Sequence, residues 1–171
     1  MLLKTEAVSG SYVIVNGIDV DEGEYLAVDA TKTTSKQPSG GYLYYKNGIL
    51  TMHDYTYTGA NNNNQGFIVS LLDCDLNLVL EGTNTFTFVD LESESSCIFA
   101  FKDLGIKGDG TLKIKTSGSG LTSGDGQVNV TGGNIDITSG DYGIEADMGV
   151  YLSDTSLKID SESAVFTTGH L

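Results

Sequence analysis

Asp103, Asp125 and Asp147 recur at intervals of 22 residues, and Asp75 stands ahead of them in a similar setting. Carboxylates brought together by a repeating backbone repel, and protonation, solvent, staggering or a cation relieves the repulsion. Calcium takes oxygen ligands of this kind, so it is the candidate cofactor, with Asp103, Asp125 and Asp147 as its candidate ligands. The competing reading gives each aspartate the ordinary work of a turn, accepting backbone N–H groups and facing water. A second set is aromatic. Phe99, Tyr142, Tyr151 and Phe166 offer ring faces of the kind that stack on a pyranose, and the chain has no Trp to do so.

Catalytic arrangements are harder to assemble. A polysaccharide lyase needs a strong base, and the chain has no Arg; Lys102, Lys107 and Lys113 lie in acidic surroundings that favour the protonated form. Carboxylate pairs such as Asp73 with Asp75 or Asp141 with Glu145 are unavoidable among 23 acidic residues. His53 and His170 are far apart and lack a nucleophile partner. No catalytic residue is assigned.

Nine Lys against 23 Asp and Glu leave a net charge of −14 in 171 residues. Such a field repels phosphate backbones and anionic lipid, so neither a nucleic-acid partner nor membrane insertion is expected. No run reaches the roughly 20 apolar residues of a membrane span. Residues 1–10 lack the pattern of a secretory signal, so if the parent protein is secreted its export signal is expected outside this chain. Cys74 and Cys97 have no metal-ligand spacing and read as small structural residues.

The elements that must position these groups are visible as a repeat. Leu104-Gly105-Ile106, Leu112-Lys113-Ile114 and Leu121-Thr122-Ser123 are echoed by Val128-Asn129-Val130, Ile135-Asp136-Ile137 and Ile144-Glu145-Ala146. A further echo is Val150-Tyr151-Leu152, Leu157-Lys158-Ile159 and Val165-Phe166-Thr167. Earlier coils run through Leu78-Val79-Leu80, Phe86-Thr87-Phe88 and Ile98-Phe99-Ala100, and through Leu50-Thr51-Met52 and Phe67-Ile68-Val69. Each trio has the period of a strand with one buried face. A repeat of about two dozen residues cannot bury its own apolar side chains, but stacking on a neighbour makes a continuous column, with Leu112, Ile135 and Leu157 in one stack. The fold expected is all-β: a single-stranded right-handed parallel β-helix of about five coils with an N-terminal β-hairpin cap.

Gly82-Thr83-Asn84, Gly108-Asp109-Gly110 and Gly132-Gly133-Asn134 mark one corner of the coil, where left-handed backbone suits Gly and Asn. Asn16-Gly17 and Asn47-Gly48 sit between apolar runs and predict two hairpins. Thr31 to Gly41, with the only Pro, reads as a surface loop, and Asn61 to Asn64 as a solvated loop tip. Residues 1–171 are one domain, with a hairpin cap region at 1–48 and coils at 49–171 that continue, or pack on another copy, beyond the C-terminus. Lys113, Asp136 and Lys158 should form an outward ladder of alternating charge.

Gly48-Ile49-Leu50-Thr51-Met52, Leu78-Val79-Leu80-Glu81-Gly82-Thr83-Asn84-Thr85 and Leu104-Gly105-Ile106-Lys107-Gly108-Asp109-Gly110-Thr111-Leu112 resemble the bacterial parallel β-helix proteins labelled carbohydrate-binding domain-containing. The resemblance covers roughly residues 42–169. It implies a pectate-lyase-like fold, a secreted or surface-attached location, and binding of polysaccharide, sometimes with calcium. The function expected is a non-catalytic extracellular carbohydrate-binding module, calcium-assisted, that uses one lateral face. Two alternatives stand beside it: a structural or adhesive surface module that binds protein or self-associates through its C-terminal end, and a calcium-dependent lyase or hydrolase.

Overall fold

The computed structural model describes residues 12–88 and 95–169, and every regular element among them is a β-strand. The first six are β1 (Tyr12–Val15), β2 (Ile18–Asp21), β3 (Tyr25–Ala27), β4 (Lys32–Thr33), β5 (Tyr42–Lys46) and β6 (Ile49–His53). β1–β2 and β5–β6 are antiparallel hairpins. Both central residues of each turn, Asn16-Gly17 and Asn47-Gly48, have positive φ. That backbone matches the twist of the strands it joins and is easiest for Asn and Gly.

From β6 onward the chain winds in five three-stranded coils. The first is β6, β7 (Thr56–Gly59) and β8 (Gly66–Val69); the second is β9 (Leu76–Glu81), β10 (Thr83–Phe88) and β11 (Ser96–Ala100). The third is β12 (Leu104–Gly108), β13 (Thr111–Lys115) and β14 (Leu121–Ser123); the fourth is β15 (Gln127–Thr131), β16 (Asn134–Thr138) and β17 (Tyr142–Ala146). The last is β18 (Gly149–Ser153), β19 (Ser156–Asp160) and β20 (Ser163–Thr167). Corresponding strands pair in parallel and make three sheets of eight, five and seven strands, so the chain is a parallel β-solenoid. The hairpin strands β5 and β1 pair antiparallel with β6 and β8 of the first coil.

Inward side chains pile up as apolar columns. Leu112, Ile135 and Leu157 are register partners, as are Leu50, Leu78, Ile106, Val130 and Leu152. Burial of such columns is the main favourable term holding the coils together. The stack is sealed within the middle coils and open at the last, where Leu152 is 45% and Val165 39% exposed. Outside, Lys113, Asp136 and Lys158 form the expected ladder, with Lys158 Nζ 3.6 Å from Asp136. Cys74 and Cys97 are free thiols, and burial pushes the Cys97 thiol well up from its ordinary value.

Three readings need correction. Leu78-Val79-Leu80 aligns with Ile106-Lys107-Gly108, while Leu104-Gly105-Ile106 aligns with Leu76-Asn77-Leu78. The slip is two residues, so it leaves every side chain on its expected face. Second, Asn84 and Asn134 belong to strands, and the left-handed residue of that corner is Asp54, Gly82, Gly108, Gly132 with Gly133, or Asp154 in successive coils. Third, the segment Thr31 to Gly41 contains β4, whose Lys32 and Thr33 pair with Leu26 and Tyr25. The Lys32 ammonium anchors it on Glu24, at 2.7 Å, and on the Asp19 carbonyl. The Asn61–Asn64 run is a loop with Asn62 and Asn64 exposed, as expected, and it is also tied down: Asn62 N–H donates to Asn16 Oδ1 and Asn61 Nδ2 to Ser95 Oγ. Carboxamides satisfy turn backbone as well as water does, which is why the run is ordered against the β1–β2 turn.

Asn84 is wholly buried, in the same column as Leu112. Its Oδ1 accepts the Tyr55 N–H at 3.0 Å, and its Nδ2 donates to the carbonyls of Met52, Glu81 and Thr111 at 3.3, 3.2 and 3.5 Å. It thereby links three coils through backbone groups that the corner between first and second strands leaves open. Burial pushes the neighbouring Tyr55 hydroxyl up to about 12.

Candidate functional site

A parallel solenoid presents the middle residue of each trio outward, one per coil, so a row of such residues crosses the strands at about 4.8 Å per step. On the eight-stranded sheet one row is Ile49, Asn77, Gly105, Asn129 and Tyr151. The next row on the same face is Thr51, Val79, Lys107, Thr131 and Ser153. Between them lies a trough of about 540 Å³, lined by Asn47, Ile49, Asn77, Gly105, Lys107, Asn129 and Thr131 among others.

The trough exists because Gly105 has no side chain. A Cβ there would stand 2.7 Å from Asn77 Oδ1, so the Asn77 carboxamide leans over a floor of bare backbone. Asn129 flanks the floor from the other side. The surroundings are therefore amide donors and acceptors, one lysine, a threonine hydroxyl and short apolar surface. Such a mixture suits a polar ligand with apolar faces.

Aromatic rings bound this face at both ends. Tyr151 is 56% exposed at the last coil. At the other end Tyr25 and Tyr44 stack at 4.1 Å, Tyr42 meets Tyr25 edge-on at 5.3 Å, and Tyr42 stacks on His53 at 4.9 Å. Cross-strand pairing brings these rings together: Tyr25 opposes Tyr44, and Tyr42 opposes His53.

The other three aromatic candidates occupy a different wall. Phe99 and Phe166 lie in one outward row of the seven-stranded sheet, with Thr122 and Glu145 between them, and Tyr142 packs on Phe166 at 4.9 Å. The four aromatics thus split between two sheets. Phe99 also meets Phe101 edge-on at 5.1 Å. Residues 89–94, which the sequence suggests as a cover for Phe99 and Phe101, lie outside the described residues. His170 lies outside them as well.

The aspartate series is built into the corner before the first strand of each coil. Asp103 Oδ1 accepts the Gln127 N–H at 3.0 Å, and the Asp103 N–H in turn donates to Asp75 Oδ1 at 3.1 Å. Asp125 pairs with the Lys102 ammonium, which holds the Lys102 pKa above its ordinary value, and Asp73 lies 3.9 Å from the same nitrogen. Asp147 accepts from the Thr168 hydroxyl. The three carboxylates therefore take separate partners. Among the described residues no group of three or more His, Cys, Asp or Glu side chains is arranged to hold a metal ion.

The sequence offers Lys107 only as a base and does not single out Asn77, Gly105 and Asn129, although their signal is there. Gly105 and Asn129 are the variable members of their trios, Asn77 and Lys107 flank trios on the same outward face, and the repeat carries the fold in its apolar members. Tyr25 and Tyr44 carried no signal, because antiparallel pairing across a hairpin and a loop brings them to the same face.

No curated protein and no solved structure matches the chain significantly. A family model described as carbohydrate-binding domain-containing protein matches residues 9–169, nearly the whole sequence. With that match over a parallel β-solenoid of this repeat, the chain belongs to the family of carbohydrate-binding domain-containing proteins.

Proposed function

We propose that the chain is a non-catalytic, extracellular carbohydrate-binding module that holds polysaccharide along the trough on the outer face of the eight-stranded sheet. The single observation that carries the reading is the bare floor at Gly105 between the carboxamides of Asn77 and Asn129. A glycan laid along the solenoid axis meets one outward side chain at each strand spacing of about 4.8 Å, a step comparable to the length of one sugar residue. Asn77 and Asn129 exchange hydrogen bonds with its hydroxyls, and Tyr151 extends an exposed ring for a further residue. Lys107 adds a cation to one side of the path, as a member of the trough lining.

Affinity measurements against a panel of soluble polysaccharides test the reading. Asn77→Ala and Asn129→Ala should each weaken binding by about threefold to tenfold, the worth of one neutral hydrogen bond. Gly105→Leu should weaken it tenfold or more by filling the floor. Wild-type affinity in all three folded variants would refute the site. A chelator arm tests calcium assistance through Asp103, Asp125 and Asp147: loss of binding gives the cation its role, and unchanged binding removes it.

The exposure of Leu152 and Val165 on the last coil favours a second reading, self-association through that end. Sedimentation velocity over a hundredfold concentration range, showing a growing dimer, would support it.

A further inference from the structure

The seven-stranded sheet carries a groove of its own, about 270 Å³, lined by Gln65, Ser96, Phe99, Thr122, Glu145 and Phe166 among others. Four of its lining residues form one row of the register, Phe99 to Thr122 to Glu145 to Phe166. Three strand spacings separate the two phenyl rings, about 14 Å, with a hydroxyl and a carboxyl between. Phe166 is 39% exposed, and Tyr142 supports its ring from one side.

The polar groups run as a chain across the coils. Ser96 Oγ and Thr122 Oγ1 lie 2.7 Å apart, and Thr122 hydrogen-bonds the Glu145 carboxylate. Glu145 and Asp147 are both in the lining, and no Lys or His is. Among the described residues the ion pairs of this protein do not include Glu145. Partial burial, and then the charge of Asp141, hold its pKa above the ordinary glutamate value. The groove thus contains a half-buried carboxylate without a counter-charge, framed by aromatic rings.

A cation arriving here meets both needs: a charge-assisted hydrogen bond to a carboxylate and the negative faces of phenyl rings. The spacing selects the kind of cation. Two rings several strand spacings apart, with Ser96, Thr122, Ser123 and Thr168 hydroxyls alongside, fit an oligomer of pyranoses better than one flexible amine. We propose that this groove is a second carbohydrate site, which binds a de-N-acetylated amino-sugar polymer with its ammonium on Glu145 and its pyranose faces on Phe99 and Phe166. The proposal is independent of the trough on the eight-stranded sheet.

The test is a titration of the full chain, labelled with 15N, with a soluble glucosamine oligomer near neutral pH. Salt is kept at about 0.15 M, where charges more than about 8 Å apart are screened. The N-acetylated oligomer and a lysine-rich peptide serve as comparison ligands. The glucosamine oligomer should shift the backbone amides of Thr122, Glu145 and Phe166 and leave those of Gly105 and Asn129 in place. Glu145→Gln keeps the shape and the hydrogen bond to Thr122 and should weaken binding about tenfold or more, the loss of one charge-assisted contact. Phe166→Ala should weaken it about threefold or more. The proposal is overturned by equal binding of the N-acetylated oligomer, by binding of the peptide alone, by shifts spread over the whole acidic surface, or by a Glu145→Gln variant of wild-type affinity.

Discussion

Asn84→Asp replaces a buried carboxamide by a carboxyl group of the same shape, so it creates no cavity and isolates the role of the amide protons. The Tyr55 N–H keeps its acceptor at 3.0 Å, but the atom that donated to the carbonyls of Met52, Glu81 and Thr111 becomes an oxygen facing three oxygens. In a site with no exposure, the charged form is opposed by burial and by those carbonyl dipoles. Fully buried carboxyls shift upward by about 3 to 5 pH units, and each unit is worth about 1.4 kcal/mol. The unfolded carboxyl ionises near 4, so keeping it protonated in the folded state at pH 7 costs about three units, or about 4 kcal/mol, a large share of the roughly 5 to 15 kcal/mol that holds a typical domain together.

The loss depends on pH in a defined direction. The new carboxyl binds its proton more tightly folded than unfolded, so the penalty is complete above the folded pKa. It fades as pH falls towards the unfolded value near 4. Asn84→Ala is the reference: it removes the same hydrogen bonds, should cost about 2 to 4 kcal/mol, and should show no such pH dependence. Urea unfolding followed by far-UV circular dichroism at pH 7 and near pH 4 measures both. An Asn84→Asp variant equally stable relative to wild type at the two pH values, or one that loses less than Asn84→Ala at pH 7, would refute the role given to the Asn84 amide.

Ile135→Ala should destabilise by about 2 to 5 kcal/mol, while Leu157→Ala, in the same column but only partly buried on the last coil, should cost clearly less; equal losses in urea melts would contradict the weaker burial there. Gly82→Ala should lose about 2 to 3 kcal/mol, because φ there is +62° and a Cβ would fall 2.1 Å from the Asp54 carboxylate oxygen that accepts the Thr83 N–H; thermal melts check this. Glu145→Gln should raise Tm at neutral pH, since burial and Asp141 hold the folded pKa of Glu145 above its unfolded value. The folded state then binds the extra proton, so the gain should shrink as pH falls through the folded pKa and be gone below the unfolded value near 4, and a gain that grows with acidity would have the wrong sign.

The sequence by itself determined the solenoid. Apolar, variable, apolar trios at steps of 24 and 22 residues fix which side chains point inward, and stacking is the arrangement that buries them all in register. Asn-Gly pairs fixed the two hairpins, because few residues accept two successive left-handed conformations. The same sequence placed Asn84 in a turn, where asparagine is common. Only the contact with the coils above and below reveals it as a buried bracket. Tertiary structure also decided the binding faces. Phe99 and Phe166 lie 67 residues apart and fall into one row, while Tyr151 belongs to another wall, because each outward residue is assigned to a sheet by its place within the coil. The Gly105 floor needs the Asn77 side chain from the preceding coil to become a trough. Local periodicity records which way a side chain points, and only the winding of the chain records what stands beside it.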